Sequence, residues 1–153
     1  MLSAGDTVPD FELPDETGTP RRLSTLLQDG PVALFWYPVA SSGGCTAEAC
    51  HFRDLASEFA AAGGQRVGIS TDPVQAQAAF VQGSGLDYPL LSDADGAVAE
   101  QFGVRRKWLK AAPVKRAPFV IGTDRRVLAA FKSETSMTAH ADRALEALRA
   151  HAA

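Results

Sequence analysis

The sequence predicts an α/β fold built on a central mixed, mostly parallel sheet with helices on both faces. Three observations carry this reading. Apolar, β-rich runs alternate with amphipathic helical patterns through the middle of the chain, an order that builds parallel strands joined by helical crossovers. The run "PVALFWYP" (31–38) is apolar throughout, as a strand buried on both faces must be. Near the C-terminus two strand-like runs are separated only by "TDRR", and such an antiparallel pair makes the sheet mixed.

The elements follow in order. Residues 11–13 and 20–23 flank "DETG", which predicts an N-terminal β-hairpin. Strand 31–38 is bounded by Gly30 and Pro38. Residues 45–62 read as a helix: Ala49, Phe52, Ala56 and Phe59 recur at three- and four-residue steps, with Glu48, Arg53, Asp54, Ser57 and Glu58 mostly on other faces. Gly63 and Gly64 end it. "QRVGIST" (65–71) is a second strand, after which Asp72 is placed to cap a helix with Pro73 at its first position. "YPLLSD" (88–93) is a third strand. Asp95 is expected to cap a short helix that carries Val98 and Phe102 and closes at Gly103. Residues 104–117 read as a loop with a basic tip around Trp108, either a loop anchor or part of a partner-binding face. "PFVIG" (118–122) and "VLAAFK" (127–132) are the hairpin strands, and 138–150 is a last helix with Ala141, Leu145 and Leu148 inward. No repeat or linker interrupts the pattern, so one domain over 1–153 is expected.

Composition narrows the function. The 46% hydrophobic and 22% charged residues are those of an ordinary globular protein. The net charge of −3, with only the short clusters Arg105-Arg106-Lys107 and Arg125-Arg126, argues against nucleic acid as a partner. The start "MLSAGDTVPDFELPDE" has no basic n-region or apolar h-region, and no run is long enough to span a membrane. A cytoplasmic protein without a membrane partner is therefore expected. In that compartment a permanent disulfide is disfavoured, so the two cysteines point to redox, catalytic or metal chemistry. Two thiols and the scattered His51, His140 and His151 lack a paired ligand spacing, which argues against a metal.

Both cysteines lie in "YPVASSGGCTAEAC" (37–50), where a strand gives way to a helix. Ligands in α/β folds bind outside the carboxyl ends of strands. Cys45 falls near the first helical turn, where unpaired N–H groups and the helix dipole favour a negative charge. A helix N-terminus is one recognised way to lower a cysteine pKa, and the thiolate is the reactive form. Gly43 and Gly44 allow the backbone to approach a small substrate, and Ser42 offers a hydroxyl. Cys50 follows Cys45 by five helical steps, which places their Cα atoms about 8–9 Å apart. A disulfide needs them within about 7 Å. The two are thus either buried thiols that never meet or a pair that bonds only when the helix unwinds. Cys45 shares the apolar stripe, whereas Cys50 lies nearer Arg53, Asp54 and Ser57. His51, beside Cys50, is either a tuning group or an idle, partly exposed histidine.

These residues resemble the peroxiredoxins. Pro38-Val-Ala-Ser-Ser42-Gly-Gly-Cys45 fits P-x-x-x-(T/S)-x-x-C, and "GCTAEAC" is similar to the GCTxEAC of the bacterioferritin-comigratory, or PrxQ, subfamily of the AhpC/TSA family. The likeness covers nearly the whole chain, through "GDTVPDFELPDETG", "FRDLASEF", "VGISTD", "YPLLSDADGAVAEQFGV" and "KRAPFVIGTDRRV". It departs where the subfamily often has Thr and Pro and this chain has Ser42 and Gly43; Ser42 keeps the hydroxyl. The loop 104–117 looks shorter than in many members, and Gly122 stands in place of a frequent Asp.

The resemblance implies a thioredoxin-like fold and a thiol peroxidase of the atypical two-cysteine kind. Cys45 would attack hydrogen peroxide or an organic hydroperoxide, and Cys50 would resolve the sulfenic acid as an intramolecular disulfide. A thioredoxin-like reductant would reduce that bond. Pro38 would shield the thiolate, Ser42 would bind the peroxide, and Arg116 would hold the developing charge. Glu48 would orient that arginine, with Gly44 and Thr46 in supporting places. The phase of "R-x-x-F-V-I" favours Arg116 over Lys115. No metal or organic cofactor is implied, and the state would be a monomer or a dimer. Pro118 is either an ordinary strand-start proline or a cis proline opposite the redox cysteine. Two rival readings are a thiol–disulfide oxidoreductase of thioredoxin type, which usually carries C-x-x-C, and a non-catalytic interaction protein, which would be free to lose Ser42 or Arg116.

Overall fold

The structure, a computed structural model, describes residues 1–131 and 138–152. Its N-terminal hairpin pairs β1 (Glu12–Pro14) with β2 (Pro20–Arg22). The turn is held by Asp15, whose carboxylate accepts from the backbone N–H groups of Thr17 and Thr19, the Thr17 hydroxyl and Arg21. Leu23, expected to end the hairpin, instead opens the short helix α1 (Leu23–Leu26), which runs into a 3₁₀ turn (Leu27–Asp29).

The main sheet has β3 (Val32–Trp36), β4 (Gln65–Ser70), β5 (Leu90–Ser92), β6 (Ala117–Ile121) and β7 (Val127–Ala130), ordered β5-β4-β3-β6-β7. β3, β4 and β5 are parallel, while β6 and β7 pair antiparallel. Lys132, the expected last residue of the final strand, lies outside the described residues. The remaining helices are α2 (Gly43–Asp54), α3 (Ala56–Ala61), α4 (Val74–Ser84), α5 (Ala97–Phe102) and α6 (Ala139–Ala152). This is the thioredoxin-like arrangement that the resemblance implied.

β3 explains why the core has two halves. Strand side chains alternate between faces. Val32, Leu34 and Trp36 enter a cluster with Phe11, Phe102 and Phe119, whereas Ala33, Phe35 and Tyr37 enter one with Cys45, Phe52 and Leu148. Phe35 and Phe52 stack with centroids 4.1 Å apart. Trp36 is core, as expected, and Ala141, Leu145 and Leu148 face inward on α6.

Four expectations need correction. The helix 45–62 begins earlier, at Gly43, and breaks at Leu55, whose ψ of 20° leaves the helical region; no glycine or proline there signals the break. Asp72 does not cap α4, whose N-cap is Pro73 without a side-chain bond. Asp93, rather than Asp95, caps most of α5: its carboxylate accepts from Val98 and Ala99, while Asp95 holds only the N–H of Ala97. Glu48, grouped with the polar positions, is fully buried.

The loop 104–117 is tied at its base by an Arg105–Val114 bridge and by the Lys115 N–H to the Val104 carbonyl at 2.8 Å. Its tip carries Trp108, 79% exposed. The bond before Pro118 is trans. Among the described residues no helix is long and apolar enough to cross a membrane.

Candidate active site

The antiparallel pairing of β3 with β6 builds the site. Its register sets Trp36 opposite Ala117. The end of β3 and the start of β6 therefore share one sheet edge, which brings Arg116 beside the loop that leaves β3. That loop turns sharply. Ser41 takes φ = +62°, a left-handed conformation uncommon outside glycine. Both the N–H and the hydroxyl of Ser42 then donate to the Val39 carbonyl, at 3.4 and 3.0 Å. Ser42 is the N-cap of α2, its Oγ accepting from the Cys45 N–H at 3.4 Å.

The loop is anchored from β4 as well. The Asp72 carboxylate accepts from the Ala40 N–H at 2.8 Å and from the Ser70 hydroxyl at 2.7 Å. Ser70 also accepts from Gln77, which in turn accepts from the Tyr37 hydroxyl. Burial pushes the Tyr37 phenol well above the usual tyrosine range, so it stays a neutral donor. Asp72 thus positions the cysteine loop rather than capping a helix.

Cys45 is fully buried in the first turns of α2. Nη2 of Arg116 donates to its Sγ at 3.1 Å, and Nη1 donates to Glu48 Oε1 at 2.9 Å. Glu48 Oε2 meets His140 Nδ1 of α6 at 2.6 Å, with both side chains fully buried. Burial opposes the Arg116 charge, but Glu48 and Cys45 outweigh it and hold the guanidinium firmly ionised. Lys115, the adjacent candidate, is exposed. The arrangement can stabilise a thiolate at Cys45 and a negative charge that develops next to it.

Of the residues picked from sequence, Cys45, Ser42, Glu48 and Arg116 come together. Pro38 and Gly44 are partly buried in the same loop and helix start, and the Thr46 N–H donates to the Ser42 carbonyl at 2.8 Å. Cys50 is partly buried and both cysteines are free thiols. α2 is continuous across them, so their Cα atoms are held about 8–9 Å apart. His51 Nε2 lies 2.8 Å from Asp142 of α6. Sequence reasoning missed His140, which looked like a scattered helix histidine, and the role of Asp72. The signal for Asp72 was available: "STD" ends a strand on the edge where α/β sites form.

Comparison with known proteins agrees. The model of the AhpC/TSA family matches residues 4–130. A putative peroxiredoxin of Mycobacterium tuberculosis is 66% identical over 150 residues, covering 97% of both chains. Peroxiredoxin Bcp of Escherichia coli is 36% identical over 155 residues, covering 99% of this chain and 98% of its own. The crystal structure of peroxidoxin BcpB from Mycobacterium tuberculosis superposes with a TM-score of 0.94 at 65% identity, over 98% of each chain. The bacterioferritin comigratory protein of Xanthomonas campestris, studied for alkyl peroxide reduction, gives 0.87 at 28% identity over 99% of this chain and 100% of its own. The buried cysteine at a helix start, the arginine that meets it and these likenesses lead to one conclusion: this chain belongs to the AhpC/TSA family, within the peroxiredoxin subfamily of bacterioferritin-comigratory and PrxQ proteins.

Proposed function

We propose that this peroxiredoxin reduces hydrogen peroxide and small alkyl hydroperoxides at Cys45, using Cys50 and a thioredoxin-like dithiol to complete the cycle. The observation that carries this reading is the 3.1 Å contact from Arg116 to the Cys45 sulfur in a water-poor site. The Cys45 thiolate attacks one peroxide oxygen and the O–O bond breaks. The sulfur gains that oxygen, and the other leaves as hydroxide or alkoxide, which takes up a proton as water or alcohol. Arg116 offsets the charge on the sulfur and on the departing oxygen. The Ser42 hydroxyl orients the peroxide, and Pro38 limits access of water.

The product is a sulfenic acid. The Cys50 thiol condenses with it, releasing water and forming the Cys45–Cys50 disulfide. α2 must first unwind between the two residues, because helix geometry holds them too far apart. An external dithiol then reduces the bond by exchange through a mixed disulfide.

The test is peroxide consumption by the purified protein with a thioredoxin system. Cys45→Ser is expected to abolish turnover. Cys50→Ser is expected to react once and stall as a sulfenic acid. Full turnover by Cys45→Ser would overturn the assignment.

A further inference from the structure

We infer that His140 is a positioning residue for the Cys45 thiolate, acting through Glu48 and Arg116; this rests on the proposed role of Cys45. The contacts form a chain. His140 Nδ1 lies 2.6 Å from Glu48 Oε2, Glu48 Oε1 lies 2.9 Å from Arg116 Nη1, and Arg116 Nη2 lies 3.1 Å from Cys45 Sγ. Each partner uses a different atom toward each neighbour, so the orientation set at one end is passed to the other.

Glu48 is the middle link, bound to Arg116 on one side and His140 on the other. It is fully buried, where an ionised carboxylate is tolerated only when paired and hydrogen-bonded. Arg116 meets one oxygen. His140 meets the second, which fixes the carboxylate plane and with it the direction of the guanidinium. A carboxylate paired with arginine only accepts hydrogen bonds, so His140 Nδ1 carries the hydrogen and donates. Among the described residues His140 Nε2 has no hydrogen-bond partner, so the polar contact described for this ring is the one to Glu48.

The electrostatics point the same way. Glu48 and the Cys45 thiolate compete for one guanidinium. An N–H donated by His140 draws charge from Glu48 and leaves more of the Arg116 field for the sulfur. Without it, the carboxylate regains that charge and is free to turn, and Arg116 follows it away from Sγ. The buried titratable groups around this chain are Cys45 and Glu48 on α2, Arg116 before β6, Tyr37 after β3 and Tyr88 before β5, while Cys50, Arg53 and Asp54 lie at partly or fully exposed positions of α2. His51 and Asp142 pair at the exposed edge of the same α2–α6 contact.

The test reads the Cys45 thiolate without peroxide, so that it stands apart from the peroxidase reading. In a Cys50→Ser background, the rate of Cys45 alkylation by iodoacetamide is followed against pH. His140→Leu is expected to move the half-maximal rate up by about one pH unit, the lower end of what one neighbouring charge does. Asn places its amide nitrogen near the position of Nδ1, and Gln places it near Nε2. His140→Asn is therefore expected to keep the original profile and His140→Gln to shift like His140→Leu. An unmoved profile in folded His140→Leu would overturn the inference. If His140→Leu does not fold, the Asn and Gln pair decides: equal profiles overturn it, and a profile restored by Asn alone supports it. Loss of peroxide reactivity in the parent with an intact alkylation profile would instead remove the peroxidase reading.

Discussion

If α2 must open for the disulfide to form, weakening a contact that holds it closed should speed that step and leave the peroxide step alone. Tyr88 gives a clean perturbation. Its hydroxyl donates to the Ala49 carbonyl at 2.7 Å, and Ala49 lies between the two cysteines. Burial pushes the Tyr88 phenol well above the usual tyrosine range, so the donor is always present. Tyr88→Phe removes the hydroxyl but keeps the ring against Phe35 and under Arg66. A net intramolecular hydrogen bond is worth about 1 kcal/mol. Since a tenfold change corresponds to about 1.4 kcal/mol, the open state of α2 should become roughly fivefold more populated. Disulfide formation after one equivalent of peroxide should accelerate by that factor. Rapid acid quench and mass spectrometry follow it as loss of the sulfenic acid, with dimedone as a competing trap. The rate of peroxide attack should stay within about twofold, because Tyr88 makes no hydrogen bond to Cys45 or Arg116. A disulfide step at the wild-type rate or slower, in a folded variant, would refute the idea that α2 opening limits it.

Three further outcomes are expected. Arg116→Met should lower the rate constant for peroxide by about 10²–10³, the usual loss for one donor aimed at developing charge, measured by stopped flow. Asp72→Ala frees the Ala40 N–H and with it the loop that carries Ser42, and should slow the same step between about 10- and 100-fold with the fold retained. Asp15 is pushed up by burial, but bonds from Thr17 and Arg21 and from the backbone N–H groups of Thr17 and Thr19 outweigh this and hold its carboxyl below the ordinary value. Its stabilisation is therefore present above the unfolded-state value, about 3.9, and is lost as the pH falls through the lower folded one. Asp15→Asn should cost about 2 kcal/mol in urea unfolding at pH 7 and much less in the most acidic buffers the fold survives.

What could be read from the sequence follows from the range over which each interaction acts. β3 was legible because a strand covered on both faces has to be apolar at every position, and Val32 to Trp36 are. Cys45 and Ser42 were legible because strand, turn and helix start are local. Arg116 needed the resemblance, since only the β3–β6 register brings it to the thiol. The pairing of Glu48 with His140 spans 92 residues and leaves no local trace. On a helical wheel Glu48 looks like a solvent-facing acid, and "TAHAD" looks like the outer part of an amphipathic helix. The roles of Asp72 and Asp95 were misread for the same kind of reason. An acid after a strand suits a helix cap, and only the packed structure shows that Asp72 reaches a loop and that Asp93, two residues before the expected Asp95, does most of the capping.

In the proposed cycle Cys45 reduces the peroxide and Cys50 closes onto it within one chain. Intact-protein mass spectrometry after one equivalent of hydrogen peroxide, with the wild type and Cys50→Ser side by side, tests it most directly. The wild type should lose two hydrogens as a monomer and yield a linked peptide of Cys45 with Cys50. Cys50→Ser should instead gain a single oxygen on Cys45. A disulfide-linked dimer in the wild type, or the same loss of two hydrogens in Cys50→Ser, would contradict the account.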